Sequence, residues 1–287
     1  VSSQVVRDLL ANDATICWFS YGGWFAGMAT GLSSKHVALR LAQYAAGTGE
    51  RALALSKAVT AGKIRNSRVL LRRNARGNVA DELALLQSAV GSVAQASTRE
   101  TLLGIEGAAA RTYFSAFRAM LSDGVLALPG SPFDFLGRNR RPPRDAVNCL
   151  LSYLYALLVK DLTVTCEAVG LDPYFGFYHR PRYGRPALAL DLAEEFRPLL
   201  AESVTIQVVN NGELKPSDFI VRAGGVALTA HGRKKLIGAY ERRLGNVVTH
   251  PQFGYKVSYR RALEVQARML GAYLLGEIPA YTPFVTR

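Results

Sequence analysis

From about Ser34 to the C-terminus, apolar residues recur at helical spacing almost without interruption. A chain patterned in this way can build a helical body and little else over most of its length. The predicted helices cover HVALRLAQYAA (36–46), ERALALSKAVTAGKIRNSRVLLRRN (50–74), VADELALLQSAVGSVAQA (79–96) and STRETLLGIEGAAARTYFSAFRAML (97–121). The last of these is opened by a Ser97–Glu100 capping box. VNCLLSYLYALLVKDLTVTCEAV (147–169), HGRKKLIGAYERRL (231–244) and SYRRALEVQARMLGAYLLG (258–276) complete the set. The apolar run CLLSYLYALLV (149–159) ends at Lys160, too short to span a bilayer, and reads as a buried core helix. Residues 133–146 form a loop, because Pro142-Pro143 stiffens the backbone and cannot continue a helix.

The first 33 residues differ. Residues 2–10 predict a short helix capped by Ser2 or Ser3. ATICWFSY (14–21) and WFAGM (24–28) then flank Gly22-Gly23, the signature of a hairpin. A lone hairpin is marginal, so this one is expected to join a larger sheet supplied by a segment before Val1. The predicted class is therefore α+β, mainly α: residues 1–33 are the remainder of a small N-terminal β-domain, and 34–287 a large α-helical catalytic domain.

Composition narrows the partner. Lys and Arg number 35 against 22 Asp and Glu, a net charge of +13, so a polyanion is expected, nucleic acid ahead of an anionic membrane surface. The three cysteines, Cys17, Cys149 and Cys166, are an odd number without metal-ligand spacing, which predicts a reduced, cytoplasmic protein.

Two stretches carry candidate chemistry. In the helix opened at 97, Glu106 falls inside the apolar stripe of Leu102, Ala109, Ala110, Tyr113, Phe117 and Met120. A carboxylate there should be at least partly buried and needs a cation, a hydrogen-bond network or a raised pKa; an internal Glu–Arg pair and a functional role fit equally well. HRPRYGRPALALDLAEEFRP (179–198) gathers His179, Arg180, Arg182, Arg185 and Arg197 around Asp191, Glu194 and Glu195. Pro186 suits the first turn of a helix, which stacks Asp191 with Glu194 and Glu195 on adjacent turns. Carboxylates with one imidazole form a hard, oxygen-rich set suited to Mg²⁺ or Mn²⁺ rather than structural zinc. No serine or cysteine constellation suggests a covalent intermediate.

GIEGAAARTYFSAF (104–117), RNRRPPRDAVNCLLSYLYALL (138–158) and GFYHRPRYGRPALALDLAEEFRP (176–198), in that order, resemble the CRISPR-associated adaptation integrase, the metal-dependent enzyme that inserts new spacers. KIRNSRVLLRR (63–73) and SDFIVRAGGVALTAHGRKKLIGAYERRL (217–244) extend the likeness over nearly the whole chain. The resemblance implies that Glu106, His179 and Glu194 bind the metal, with Asp191 as a supporting carboxylate; Glu195 leaves the choice among the acids open. It implies transesterification, in which the 3′-hydroxyl of an incoming DNA end attacks a phosphodiester of the repeat. It also implies a homodimer bridged by a small ferredoxin-fold partner dimer, acting on double-stranded prespacer DNA and CRISPR repeat DNA, with no membrane role. A fused or associated nuclease that trims DNA ends is a further expectation, prompted by the non-Met start.

Basic residues supply the expected affinity for phosphates. Arg65, Arg68 and Arg72 share one edge of a helix; Arg138, Arg140, Arg141 and Arg144 surround the Pro-Pro loop; Arg180, Arg185 and Arg197 flank the acids. Tyr153, Tyr174 and Tyr178 are either core residues or platforms for a splayed base. Two other readings fit the same residues: a catalytically silent DNA-binding scaffold, and a nuclease that hydrolyses DNA without joining it.

Overall fold

The computed structural model describes residues 1–12, 14–20, 25–31, 36–127, 131–139 and 142–286. Helix α1 (Ser3–Ala11) is capped by Ser2, whose Oγ accepts from the Val5 amide. Strands β1 (Ile16–Phe19) and β2 (Phe25–Ala29) follow, antiparallel, with Ile16 opposite Ala29 and a bulge between Trp18 and Phe19. Their Gly22-Gly23 connection and the expected domain boundary at 33–34 lie outside the described residues. Among the described residues β1 and β2 pair only with each other.

The helical body is organised around α3 (Glu50–Asn74), which follows α2 (Val37–Ala45). Its buried face includes Ser56, Thr60, Gly62 and Ser67 beside Leu55, Val59, Ile64 and Leu71. Small residues at helical spacing let neighbours approach closely, and α4 (Ala80–Gln95), α5 (Arg99–Ala116) and α8 (Ala187–Phe196) all pack on it. The cap of α5 is Thr98, whose Oγ1 accepts from the Thr101 amide at 3.1 Å, rather than Ser97. Glu100 is thereby released from the expected capping box and pairs with Arg180 at 3.0 Å. The helix predicted to reach 121 tightens into a 3₁₀ turn at Phe117–Met120 before the short α6 (Asp123–Leu126).

Helix α7 (Ala146–Val169) is capped by Asp145, which accepts from Asn148 N at 2.7 Å, and ends on the left-handed Gly170 (φ 99°). At 24 residues it is long and apolar enough to cross a membrane by length and composition alone. It lies instead within the helical body, burying Leu150, Leu151, Leu154, Leu158 and Leu162 against α8 and α11.

Pro186 sits one residue ahead of α8, at its cap. After α8 the chain widens into a π-helical turn, Arg197–Glu202, where Pro198 lacks the N–H that would continue an α-helix, then resumes as α9 (Ser203–Asn210). Two hairpins interrupt the expected helical run: β3 (Phe219–Arg222) with β4 (Gly225–Leu228), and β5 (Val247–Thr249) with β6 (Lys256–Ser258). The first turns through Ala223 (φ 48°) and Gly224 (φ 73°), the pair of positive dihedrals that a two-residue hairpin requires. Helices α10 (Ala230–Gly245) and α11 (Tyr259–Leu275) flank the second.

Residues 277–286 then run as an extended strap over α3 and α8. Asn66 Nδ2 donates to the carbonyls of Phe284 (2.7 Å) and Glu195 (2.8 Å), and Thr286 N donates to Asn66 Oδ1 (3.0 Å). The strap lies so close that a Cβ on Gly62 would stand 2.7 Å from Pro283 Cβ. The architecture is α+β and mainly α, as expected.

Candidate active site

Three parts of the body converge on one buried cluster. Helix α5 contributes Glu106, α8 and the turn after it contribute Glu194 and Arg197, and the loop before α8 contributes His179. Helix α3 adds Lys63, which the sequence reading missed. Its Nζ contacts both Glu106 Oε1 and, at 2.7 Å, Glu194 Oε2. Arg197 Nη1 lies 2.6 Å from the other Glu194 oxygen, and His179 Nε2 lies 3.7 Å from that same oxygen.

Burial decides the electrostatics. Desolvation alone would push the Glu194 carboxyl upward, yet Arg197, Lys63 and His179 together hold it down at about 2. Burial likewise works to lower Lys63, but the Glu194 and Glu106 carboxylates keep it above its ordinary value; Arg197 is held up in the same way, chiefly by Glu194. Glu194 is thus held as an anion, and Lys63 and Arg197 as cations, at neutral pH.

His179 is positioned from Asp191. The Asp191 carboxylate accepts from three successive backbone amides, Phe177 (2.6 Å), Tyr178 (3.0 Å) and His179 (2.8 Å), and Oδ1 also lies 2.7 Å from His179 Nδ1. Gly176 permits this wrap, because a Cβ there would fall within 2.8 Å of both the Ala187 backbone and Asp191 Oδ2. With Nδ1 held against Asp191, Nε2 is the nitrogen that faces Glu194.

Glu195, left open by the sequence, lies outside this cluster. It is fully buried on another side of α8, accepting from Tyr281 Oη, Phe284 N and Gln266 Nε2 of the strap and α11. Glu202, which no sequence signal singled out, lies behind the cluster and accepts from Tyr113 Oη and Tyr155 Oη, each at 2.7 Å. Burial raises its pKa, and Arg197 stacks 4.9 Å above the Tyr155 ring.

The donors fit a divalent cation in kind: two carboxylates and an imidazole whose other nitrogen is held by a third carboxylate. Among the described residues no three acidic, histidine or cysteine side chains form a ready-made ligand trio. Glu106 and Glu194 instead both grip the Lys63 ammonium.

The expected phosphate contacts divide. Arg65, Arg72, Arg144 and Arg180 are exposed. Arg68 instead ties two helices together, donating to Leu83 O at 3.1 Å. Arg138 is turned inward, donating to Asn148 Oδ1 (2.7 Å) and Ser152 Oγ (3.1 Å) and lying over the Tyr155 ring. In this structure both guanidiniums are engaged within the protein. Arg185 is half-buried, its pKa lowered first by burial and then by Arg182. Arg140 and Arg141 lie outside the described residues. Of the tyrosines, Tyr178 is buried and Tyr153 half-buried, while Tyr174 is exposed on a cavity of about 350 Å³ that Tyr155, Leu190 and Arg197 also line.

The family model for CRISPR associated protein Cas1 matches residues 1–242. The chain belongs to the Cas1 family. A CRISPR-associated exonuclease Cas4/endonuclease Cas1 fusion of Geobacter sulfurreducens is 48% identical over all of this chain and 52% of its own length. A similar fusion of Rhodospirillum rubrum is 46% identical over all of this chain and 50% of its own length, so the chain spans about half the length of these relatives. A CRISPR-associated endonuclease Cas1 of Thermus thermophilus is 42% identical over 93% of this chain and 76% of its own. In fold, the chain is similar to a casposase bound to its integration product (TM-score 0.84, 22% identity, 98% of this chain and 77% of that one). It is also similar to a Cas1 protein from Thermotoga maritima (TM-score 0.79, 22% identity, 96% of this chain and 82% of that one).

Proposed function

We propose that this Cas1-family chain is a Mg²⁺- or Mn²⁺-dependent DNA integrase that inserts spacer DNA into a CRISPR array by transesterification. The observation that carries the reading is the meeting of three separate segments: Glu106 and Glu194 share the Lys63 ammonium, and His179 Nε2 faces the other oxygen of Glu194. The names of the Cas1 endonuclease relatives and the casposase likeness support it. A divalent cation held by Glu106, His179 and Glu194 would polarise the scissile phosphate and stabilise charge gathering on its oxygens.

The chain's own residues do the rest. Asp191 fixes the tautomer and direction of His179, and Arg197 holds Glu194 ionised and in place. A 3′-hydroxyl of the incoming DNA attacks phosphorus and gives up its proton to solvent, the P–O3′ bond of the repeat strand breaks, and the released 3′-oxygen takes up a proton, so one phosphodiester replaces another with no net proton change. No protein nucleophile enters this exchange. Consistent with that, Cys149 and Cys166 are buried, and desolvation pushes the Cys149 thiol up to about 11. Arg65, Arg72, Arg144 and Arg180 hold phosphates without reading sequence, and Tyr174 offers a stacking face beside the site. Partners are prespacer duplex, repeat DNA, a second copy of this chain and a small Cas2-type dimer. Structural neighbours that are Cas6-RT-Cas1–Cas2 complexes support the last, and the Cas4/Cas1 fusions support an attached end-trimming nuclease. Action on a chromosomal CRISPR array supports a cytoplasmic location.

The test is strand transfer from a short duplex with free 3′-OH ends into a supercoiled plasmid carrying the repeat. Joined product in Mn²⁺, lost in Glu106→Ala and His179→Ala, is the expected result. Nicking without joining would assign a hydrolytic nuclease instead, and joining that survives both substitutions would remove these residues from the chemistry.

A further inference from the structure

We propose that Lys63 is the built-in counter-ion of this site: its ammonium bridges Glu106 and Glu194 until a divalent cation displaces it, which makes metal affinity a competition that DNA tips. The inference rests on the metal-site reading above and adds a residue and a mechanism to it.

Three observations carry it. The Lys63 ammonium contacts one oxygen from each of the two acids, and its side chain is only 14% exposed. It therefore occupies the space between the oxygens that a shared cation needs. The cluster is also balanced as it stands, with Glu106 and Glu194 against Lys63 and Arg197. Adding a dication would leave two uncompensated positive charges in a partly buried site, a costly state unless Lys63 withdraws or a phosphate arrives. Finally, the backbone beside it is closely packed: at the preceding residue, Gly62, α3 lies against Pro283 of the strap. The flexible four-carbon stem of Lys63 is the part free to swing. The cavity that Lys63 and Glu106 share with Ser67, Leu86, Tyr113 and Glu202 measures about 10 Å³, room for no more than about one water and so not for a hydrated ammonium. The displaced ammonium must move outward, to the side from which a phosphate would approach, where it can pair with that phosphate.

The experiment measures Mn²⁺ binding by calorimetry and by loss of the free-ion EPR signal, for wild type and for Lys63→Met and Lys63→Gln, with and without a short duplex. In the wild type, affinity for Mn²⁺ is expected to rise when duplex is present. In both variants the protein alone should bind Mn²⁺ about tenfold more tightly or better, because a competing charge is gone, and the gain from duplex should shrink. Since unpairing two buried acids could impair folding, the wild type supplies an independent readout. Labelling of Lys63 by an amine-acylating reagent, read by mass spectrometry, should increase on Mn²⁺ saturation. Wild-type Mn²⁺ binding with unchanged or weaker affinity in the variants, or with Lys63 labelling that does not respond, overturns the counter-ion role alone. Absence of Mn²⁺ binding by the wild type, with or without duplex, overturns the metal site and this inference together.

Discussion

Glu194 and Glu195 are neighbours on one helix, both buried to within 2% exposure, and their environments are opposite. Glu194 meets Lys63, Arg197 and His179, and its carboxyl is held at about 2 against the pull of burial. Glu195 meets only neutral donors, Tyr281, Phe284 N and Gln266; burial wins there, and its carboxyl is pushed up to about 7. Equal burial thus yields a permanent anion on one side of α8 and a titrating group on the other. The difference teaches that charge, not concealment, marks the chemical side of this helix, and that α8 joins two units, the site and the strap.

The sharpest way to break the comparison is Glu194→Gln. If Glu194 is the charged ligand, strand transfer at saturating Mn²⁺ should fall on the order of 10³-fold, while circular dichroism still reports a folded helical protein. Near-normal transfer would hand the ligand role elsewhere. Asp191→Asn should cost less, about 10- to 100-fold, since it unsettles His179 without removing a donor; a loss as deep as that of Glu194→Gln would make Asp191 a direct ligand.

Glu195→Gln separates stability from chemistry. A carboxyl whose folded pKa lies above its ordinary 4.5 stabilises most fully at low pH, and that contribution is lost as pH rises from 4.5 through about 7. The shift corresponds to about 3 kcal/mol. Glu194 has the opposite sign: its contribution is present above 4.5 and disappears only as pH falls toward about 2. Thermal melts of metal-free protein between pH 5 and 8 should therefore show a decline in wild type that flattens in Glu195→Gln, with strand transfer within a few-fold of wild type. An unaltered melting profile would show that Glu195 does not titrate in this range.

Smallest per residue is the effect of charges outside both units. Arg65→Ala, Arg72→Ala and Arg144→Ala should each reduce the slope of log K against log salt for DNA binding by about 0.9. Arg138→Ala should leave that slope alone and lower the melting temperature, because its donors serve Asn148 and Ser152.

Much of this was legible in the sequence. Long, strongly periodic segments announced α3, α4, α7, α10 and α11, and Glu106 was recognisable as an acid stranded in an apolar stripe. What the sequence left undecided has a geometric cause. Residues three and four along a helix from Asp191 are both its neighbours, so spacing could not choose between Glu194 and Glu195; the packing of the strap does. Lys63 lies between the buried Thr60 and Ile64 of α3, a signal of the same kind as Glu106 but masked by the arginines that follow it in the sequence. The two C-terminal hairpins have strands of three or four residues, too short for alternation to show against helical surroundings. The π-helical turn that carries Glu202 follows from Pro198 and tertiary packing together, which no local pattern encodes.

The wrap of the 177–179 backbone around Asp191 has a consequence for how this protein can vary. Because three amides and an imidazole converge on one carboxylate, the placement of His179 is referenced to α8 and not to the segment that joins them. Residues 180–184 are correspondingly exposed, with Tyr183 wholly in solvent and Gly184 left-handed. That segment is mechanically decoupled from the imidazole, a short tether whose length and composition can drift or be redesigned while the site keeps its register.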